Sequence, residues 1–188
     1  MKDVELKRPR LGASVPAFLN LSAIGLLAGL SFCVQFGLVP ALDHLDDSAY
    51  LNLMREIIPT FTRIAVPLMM MGLMSFLVRV FVHRADCRGA RYWTAVSFGF
   101  FVLGAAITIV GHFPINHQFM SWTPQNPTAV LAGLRVEWNC LNFWRFAAAQ
   151  LSFLCGLVPL VFGRRPIKTS SGGEVVEKDA PNELAFAG

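Results

Sequence analysis

The sequence predicts an all-α fold, a four-transmembrane-helix bundle with a short amphipathic outer helix between helices 3 and 4. Three observations predict it. Of 188 residues, 54% are apolar and only 15% charged, an imbalance unusual in a soluble domain of this length. The apolar excess falls in four blocks, roughly residues 15–42, 57–82, 92–110 and 139–162, each long enough to cross about 30 Å of hydrocarbon at about 1.5 Å per residue. A soluble bundle would show a polar face every turn, yet residues 98–110 carry no charge.

Residues 1–14 form a basic tail, and Pro16 suits the first turn of a helix, where a missing N–H costs nothing. Gly25 and Gly29 stand in the GxxxG spacing that lets a neighbouring helix approach closely. Ser31 and Gln35 lie one turn apart near the outer end of this span. A buried amide there needs a partner, either in a pocket or on an adjacent helix, so Gln35 is a candidate binding residue. Val39-Pro40-Ala41 resembles a signal-peptide end, but the apolar run before it is about twice the usual length, so an uncleaved span is expected.

The first outer connection, Asp43-His44-Leu45-Asp46-Asp47, is rich in metal-ligand types. Its expected role is capping, with Asp47 or Ser48 starting a short helix over residues 49–58. Arg63 falls inside the second apolar block, where an unpaired charge costs at least about 2.5 to 3.5 kcal/mol. It either pairs with Glu56 and serves a pocket or snorkels to the interface. Pro67 is expected to kink this helix.

The third block ends in Gly111-His112-Phe113-Pro114-Ile115-Asn116-His117-Gln118-Phe119-Met120-Ser121-Trp122, which sets polar side chains directly after a long apolar run. Pro114 is expected to end or kink the helix there. Gly104, Thr108, His112 and Asn116 recur every four residues and form a small-to-polar stripe. Turn residues follow from Trp122 to Pro127, and residues 128–137 suit the amphipathic outer helix. In the fourth block Trp138, Asn142 and Arg145 share one face, continued by Ala149 and Ser152. The two polar clusters read as walls of one pocket. Beyond Arg164 the composition predicts a disordered tail, so three regions are expected: 1–14, 15–165 and 166–188.

Basic residues predict orientation. Four precede the first span, four surround the second connection and four follow the last span, against Arg55 and Arg135 alone in the other connections. This bias places both termini in the cytoplasm and residues 112–137 on the opposite side, as in a multi-pass protein of a bacterial inner membrane. The same bias accounts for the net charge of +4, so no nucleic-acid partner is inferred. The four cysteines show neither CxxC nor metal-type spacing, and the histidines around Pro114 match no ligand spacing on a helix face. No metal site is expected. Dinucleotide, phosphate-loop and haem signatures are also missing.

The segment Gly111 to Asn116, followed by Trp122 and then Trp138, Asn142 and Arg145, resembles the anthrone oxygenase-like family of small four-helix membrane proteins. The resemblance covers roughly residues 15–165, the first two helices mainly in hydropathy. It implies oxidation of an anthrone to an anthraquinone by molecular oxygen, without metal or flavin and hence with no cofactor. Removing the acidic methylene proton of an anthrone leaves a carbanion that passes an electron to oxygen. His112 would be the base, Arg145 the clamp for the enolate, Asn116 and Asn142 the groups that orient oxygens, and Trp122 and Trp138 the aromatic walls. The partners expected are the lipid bilayer and a flat hydrophobic aromatic molecule, with a homo-oligomer or a larger membrane complex left open. A second reading, a non-catalytic protein that binds a lipid, quinone or pigment or scaffolds a complex, differs at His112, which only catalysis requires to titrate.

Overall fold

The computed structural model describes residues 11–82, 88–123 and 128–162, with side chains from 15–78, 89–123 and 128–160. The two tails, the basic second connection and Cys87 lie outside the described residues. Four helical rods run antiparallel. The first consists of α1 (Leu11–Cys33), a π-helical turn over Val34–Leu38, and α2 (Val39–Asp43). The second is α3 (Asp47–Val82). The third consists of α4 (Arg88–Ala106), a π turn over Ile107–His112, and α5 (Phe113–Met120), and the fourth is α6 (Thr128–Phe162). The apolar stretches Val15–Asp43, Asp47–Val78, Gly89–Met120 and Thr128–Leu160 hold 29, 32, 32 and 33 residues, more than the twenty or so that span a bilayer. Phe18, Val110 and Val136 are 70%, 75% and 71% exposed, which suits lipid contact rather than water. The chain is a multi-pass membrane protein.

Prolines did not end the rods. Pro40 and Pro114 each follow a π turn, whose closing bonds run from the Val39 N–H to the Val34 carbonyl and from the Phe113 N–H to the Thr108 carbonyl. A proline ring clashes with the carbonyl four residues back, and the wider turn gives that carbonyl room. The third rod therefore continues past Pro114 and carries Asn116 and Phe119 onward as helix.

Two local expectations need correction. The second rod begins at Asp47 and is capped by Asp46, whose Oδ1 accepts hydrogen bonds from the Ala49 N–H at 2.8 Å and the Ser48 hydroxyl at 2.7 Å. It does not stop near residue 58 but runs through Pro59 and Pro67. Thr60 and Thr62 donate their hydroxyls to the carbonyls of Glu56 and Ile58, one turn back in the same helix. Residues 128–137 are helical as expected, but as the opening turns of α6 rather than as a separate helix. Nothing between Glu137 and Asn139 breaks the backbone, and Leu131 and Leu134 are buried in the bundle.

For orientation, the end carrying residues 44–46 and 121–123 is termed upper. The first rod packs against the second and fourth, and the fourth against the third. Gly25 sits under Phe153 of α6, so the close approach predicted from GxxxG occurs there, while Gly29 faces open space. Polar side chains join the rods: Asn20 donates to the Ser75 hydroxyl at 3.1 Å, and the Ser97 and Ser152 hydroxyls each donate to the other's carbonyl at 2.7 and 2.9 Å. Such bonds are worth about 0.6 kcal/mol each in a membrane protein. A lower apolar cluster contains Ile24, Phe76 and Phe101. An upper one contains Tyr50, Met54, Phe119, Leu131 and Trp138.

Arg135 secures the upper end. Its guanidinium donates to Asp47 at 3.1 Å and to the carbonyls of Leu42 and Leu45 at 3.0 and 3.2 Å, and it lies 4.1 Å from the centre of the Tyr50 ring. Asn139 donates to Asp43, and Arg55 donates to the Trp122 carbonyl at 2.6 Å. The acidic first connection is thus consumed by capping and by Arg135 and Asn139.

Candidate functional site

Between the two apolar clusters lies a cavity of about 290 Å³, lined by all four rods. That volume is at the small end of ligand pockets, which run from about 300 Å³ upward, and it suits a compact ring system. Most of the wall is aliphatic or aromatic. The ionisable and amide side chains, His112, Asn116 and Arg145, come from the third and fourth rods, while the first and second add only the hydroxyls of Ser31 and Thr62.

The third rod contributes Gly104, Thr108, His112 and Asn116, the whole predicted stripe. Thr108 returns its hydroxyl to the Gly104 carbonyl at 2.9 Å, so that hydroxyl is already engaged within its own helix. His112 ends the π turn and is 1% exposed. Gly111 brings that turn against α6, since a methyl there would meet the Leu141 side chain at 2.9 Å. The His112 ring stands edge-on to Trp138, with centroids 5.9 Å apart and planes at 86°. Its Nε2 is buried without a partner.

The fourth rod contributes Trp138, Arg145, Ala149 and Ser152. Trp138 donates its indole N–H to Asn116 Oδ1 at 3.2 Å, which fixes both side chains and ties α6 to α5. Arg145 donates from Nη2 to Asn142 Oδ1, a bond between neighbouring turns of one helix. Asn142 stands behind Arg145 rather than in the cavity wall, and both the Asn142 Nδ2 and the Arg145 Nε are buried without a partner. Among the described residues the one ion pair joins Arg135 to Asp47, so Arg145 has no carboxylate. Leaving a buried donor unmade costs about 1 to 3 kcal/mol, and more for a charged one. Donor capacity at this wall therefore exceeds the acceptors that the described residues supply.

Besides Asn142, three expected site residues lie outside the cavity wall. Trp122 packs against the upper cluster and offers its carbonyl to Arg55, so it caps the bundle and does not face Trp138 across the cavity. Gln35 lies outside the lining, with Oε1 buried and unpartnered, because the π turn over Val34–Leu38 directs Val34 and Leu38 to the cavity instead. Arg63 is exposed on the outer face of α3, without an ion pair to Glu56, in keeping with the snorkelling alternative. Residues the sequence did not single out, notably Phe61, Met69 and Phe101, form the apolar walls. No local signal distinguishes them from the many other apolar residues of the spans.

His44 and His117 are exposed, and among the described residues no three His, Cys, Asp or Glu side chains converge.

The family model for anthrone oxygenase matches residues 52–155, from the second rod to well into the fourth, and includes His112, Asn116, Trp138, Asn142 and Arg145. No curated protein and no solved structure matches.

Proposed function

Because the chain belongs to the anthrone oxygenase family, we propose that it binds a flat, hydrophobic, anthrone- or quinone-like molecule in this cavity and oxidises it with molecular oxygen. The observation that carries the reading is Arg145: a half-buried arginine in an apolar cavity wall, its Nε buried and unpartnered, held by a neutral amide and, among the described residues, by no carboxylate. An enolate or phenolate oxygen would supply the missing charge and accept from the planar donor fork.

For an anthrone the steps balance without another reactant. His112 accepts a methylene proton, and the resulting carbanion, its charge spread onto the oxygen held by Arg145, gives one electron to oxygen. Radical and superoxide combine into a carbon–peroxide bond. The peroxide takes the proton from His112; His112 then removes the second methylene proton as the C=O forms and the O–O bond breaks, and it gives that proton to the departing hydroxide, yielding the ketone and one water. Trp138 supplies an aromatic wall whose position is fixed by Asn116.

The test is oxygen uptake and anthraquinone formation by the purified protein with a hydroxyanthrone. His112→Phe should still bind and should lose turnover, and Arg145→Leu should lose both. Full turnover by His112→Phe would leave only the non-catalytic binding role.

We also propose that both termini face the cytoplasm of a bacterial inner membrane, which the distribution of Lys and Arg supports. A cysteine placed at Ser121 should react with an impermeant thiol reagent in intact cells and one at Ser171 should not. The reverse pattern overturns the orientation.

A further inference from the structure

We infer that the ligand reaches this cavity sideways from the hydrocarbon, through a gap between the second and third rods, and crosses it as the neutral acid. The inference rests on the pocket reading above and concerns the route and the charge state.

The wall itself shows the gap. Every cavity-lining residue contributed by the first and fourth rods is buried or half-buried. The lining residues that are also exposed are Thr62, Val66 and Met70 of α3 and Ile109 and Phe113 of the third rod. Met70, Ile109 and Phe113 are 54%, 56% and 46% exposed while still touching the cavity, so the wall is open along this line.

The second and third rods meet at two levels on either side. Below, the Phe76 ring packs at a tilt against Phe98 and Phe101, with centroids 5.1 and 5.5 Å apart, and Gly72 sits under Phe101. Above, α3 contacts α5, Tyr50 meets Phe119 edge-on at 5.7 Å, and Arg55 holds the Trp122 carbonyl. Routes along the bundle axis are closed by the same two clusters: Tyr50, Met54, Phe119 and Leu131 are at most 1% exposed above, and Ile24 and Phe76 below.

The rim is Thr, Val, Met, Ile and Phe, with no charged side chain. A charged ligand would pay full desolvation in such a passage, whereas a neutral phenol or C–H acid would not. Charge then forms only inside, when a proton moves to His112 and Arg145 meets the anion. An oxygenase of this design selects for molecules that partition into the bilayer and are acidic enough to ionise at the site.

The first test needs no ligand. With Trp93→Phe, Trp122→Phe and Trp144→Phe in the full chain in liposomes, Trp138 is the remaining indole, 5% exposed in the cavity wall. Bromobenzene dissolved in the bilayer should quench it more strongly than aqueous acrylamide. Val66→Phe with Ile109→Phe should reduce the bromobenzene quenching about tenfold, and either single change, should the pair not fold, by part of that. A chain retaining only Trp144, which already faces outward, should be quenched equally with and without the two Phe substitutions. Preferential quenching by acrylamide, or unchanged bromobenzene quenching after closure, overturns the lateral route.

The second test follows binding in the same vesicles. A neutral hydroxyanthrone should associate about tenfold more slowly with the Phe pair, and a sulfonated, permanently anionic analogue should not occupy the site. Equal rates for the two compounds overturn the neutral-form claim. If the unmodified protein fails to bind hydroxyanthrone, the proposed function is at fault, and the quenching test still judges the route.

Discussion

Arg145 and Asn142 form the most informative pair of residues in the molecule, because a carboxamide accepts a hydrogen bond from the guanidinium without neutralising it. Replacing Arg145 by Lys keeps the charge but loses the planar fork, and ligand affinity should fall tenfold or more, about 1.4 kcal/mol. Arg145→Leu should abolish occupancy while the protein still inserts; full occupancy measured in that variant would place the pocket elsewhere. Asn142→Asp has the same shape and adds the missing counter-charge. It should leave thermal stability equal or higher and weaken an anionic ligand at least about tenfold, since the carboxylate would compete for Arg145. Isothermal titration beside a melting curve separates those two effects, and unchanged affinity would mean that Arg145 does not meet an anion.

At the scale of the element, the π turns matter because each moves the residues before a proline by part of a turn relative to a regular helix. His112 is the last residue of one of them. Pro114→Ala removes the ring that favours the wide turn, so a regular helix becomes accessible and His112 rotates away from Trp138. Turnover should fall at least about tenfold with helix content unchanged by circular dichroism; retention of full turnover would show that the π turn is not needed to present His112.

The upper end of α3 gives a second prediction at this scale. The Ala49 N–H and the Ser48 hydroxyl hold the Asp46 carboxyl below the usual carboxylate range. A lowered folded-state value means the cap contributes stability above the unfolded pKa and loses it as pH falls through the folded value, so the cap weakens on the acid side of about pH 4. Amide exchange at Ala49 should accelerate there. Asp46→Asn should remove that acid dependence while keeping most of the protection near neutrality, because Asn also caps well.

The whole molecule is a bundle closed at both ends and joined at the upper one by Arg135, which reaches a carboxylate, two carbonyls and an aromatic face. Arg135→Leu should lower stability in detergent by about 1.5 to 3 kcal/mol, the scale of charged hydrogen bonds, and should loosen the cap over the cavity without touching its lining. Thermal unfolding followed by tryptophan emission measures this directly, and an unchanged midpoint would show that the apolar cluster around Tyr50 and Phe119 closes the end unaided.

Four spans were legible because hydrophobic length is a one-dimensional property: a chain that must satisfy its backbone in lipid can do so only as uninterrupted helix. The stripe from Gly104 to Asn116, and Trp138 with Arg145, were legible for a related reason, since residues three and four apart share a helix face in any surroundings. Which faces turn inward was a tertiary decision. Arg63 and Gln35 were plausible pocket residues until packing placed Arg63 on the outer face of α3 and the first π turn offered Val34 and Leu38 in place of Gln35. Trp122 depended likewise on where the chain turns after α5. The continuity of α3 and α6, the capping by Asp46, and the many roles of Arg135 arise from contacts between segments far apart in sequence, such as residues 42–50 with 135, which no local period encodes. The open line between the second and third rods was decided in the same way, because a gap is a contact that two helices fail to make, and apolar residues at its rim read in sequence like apolar residues anywhere in a span.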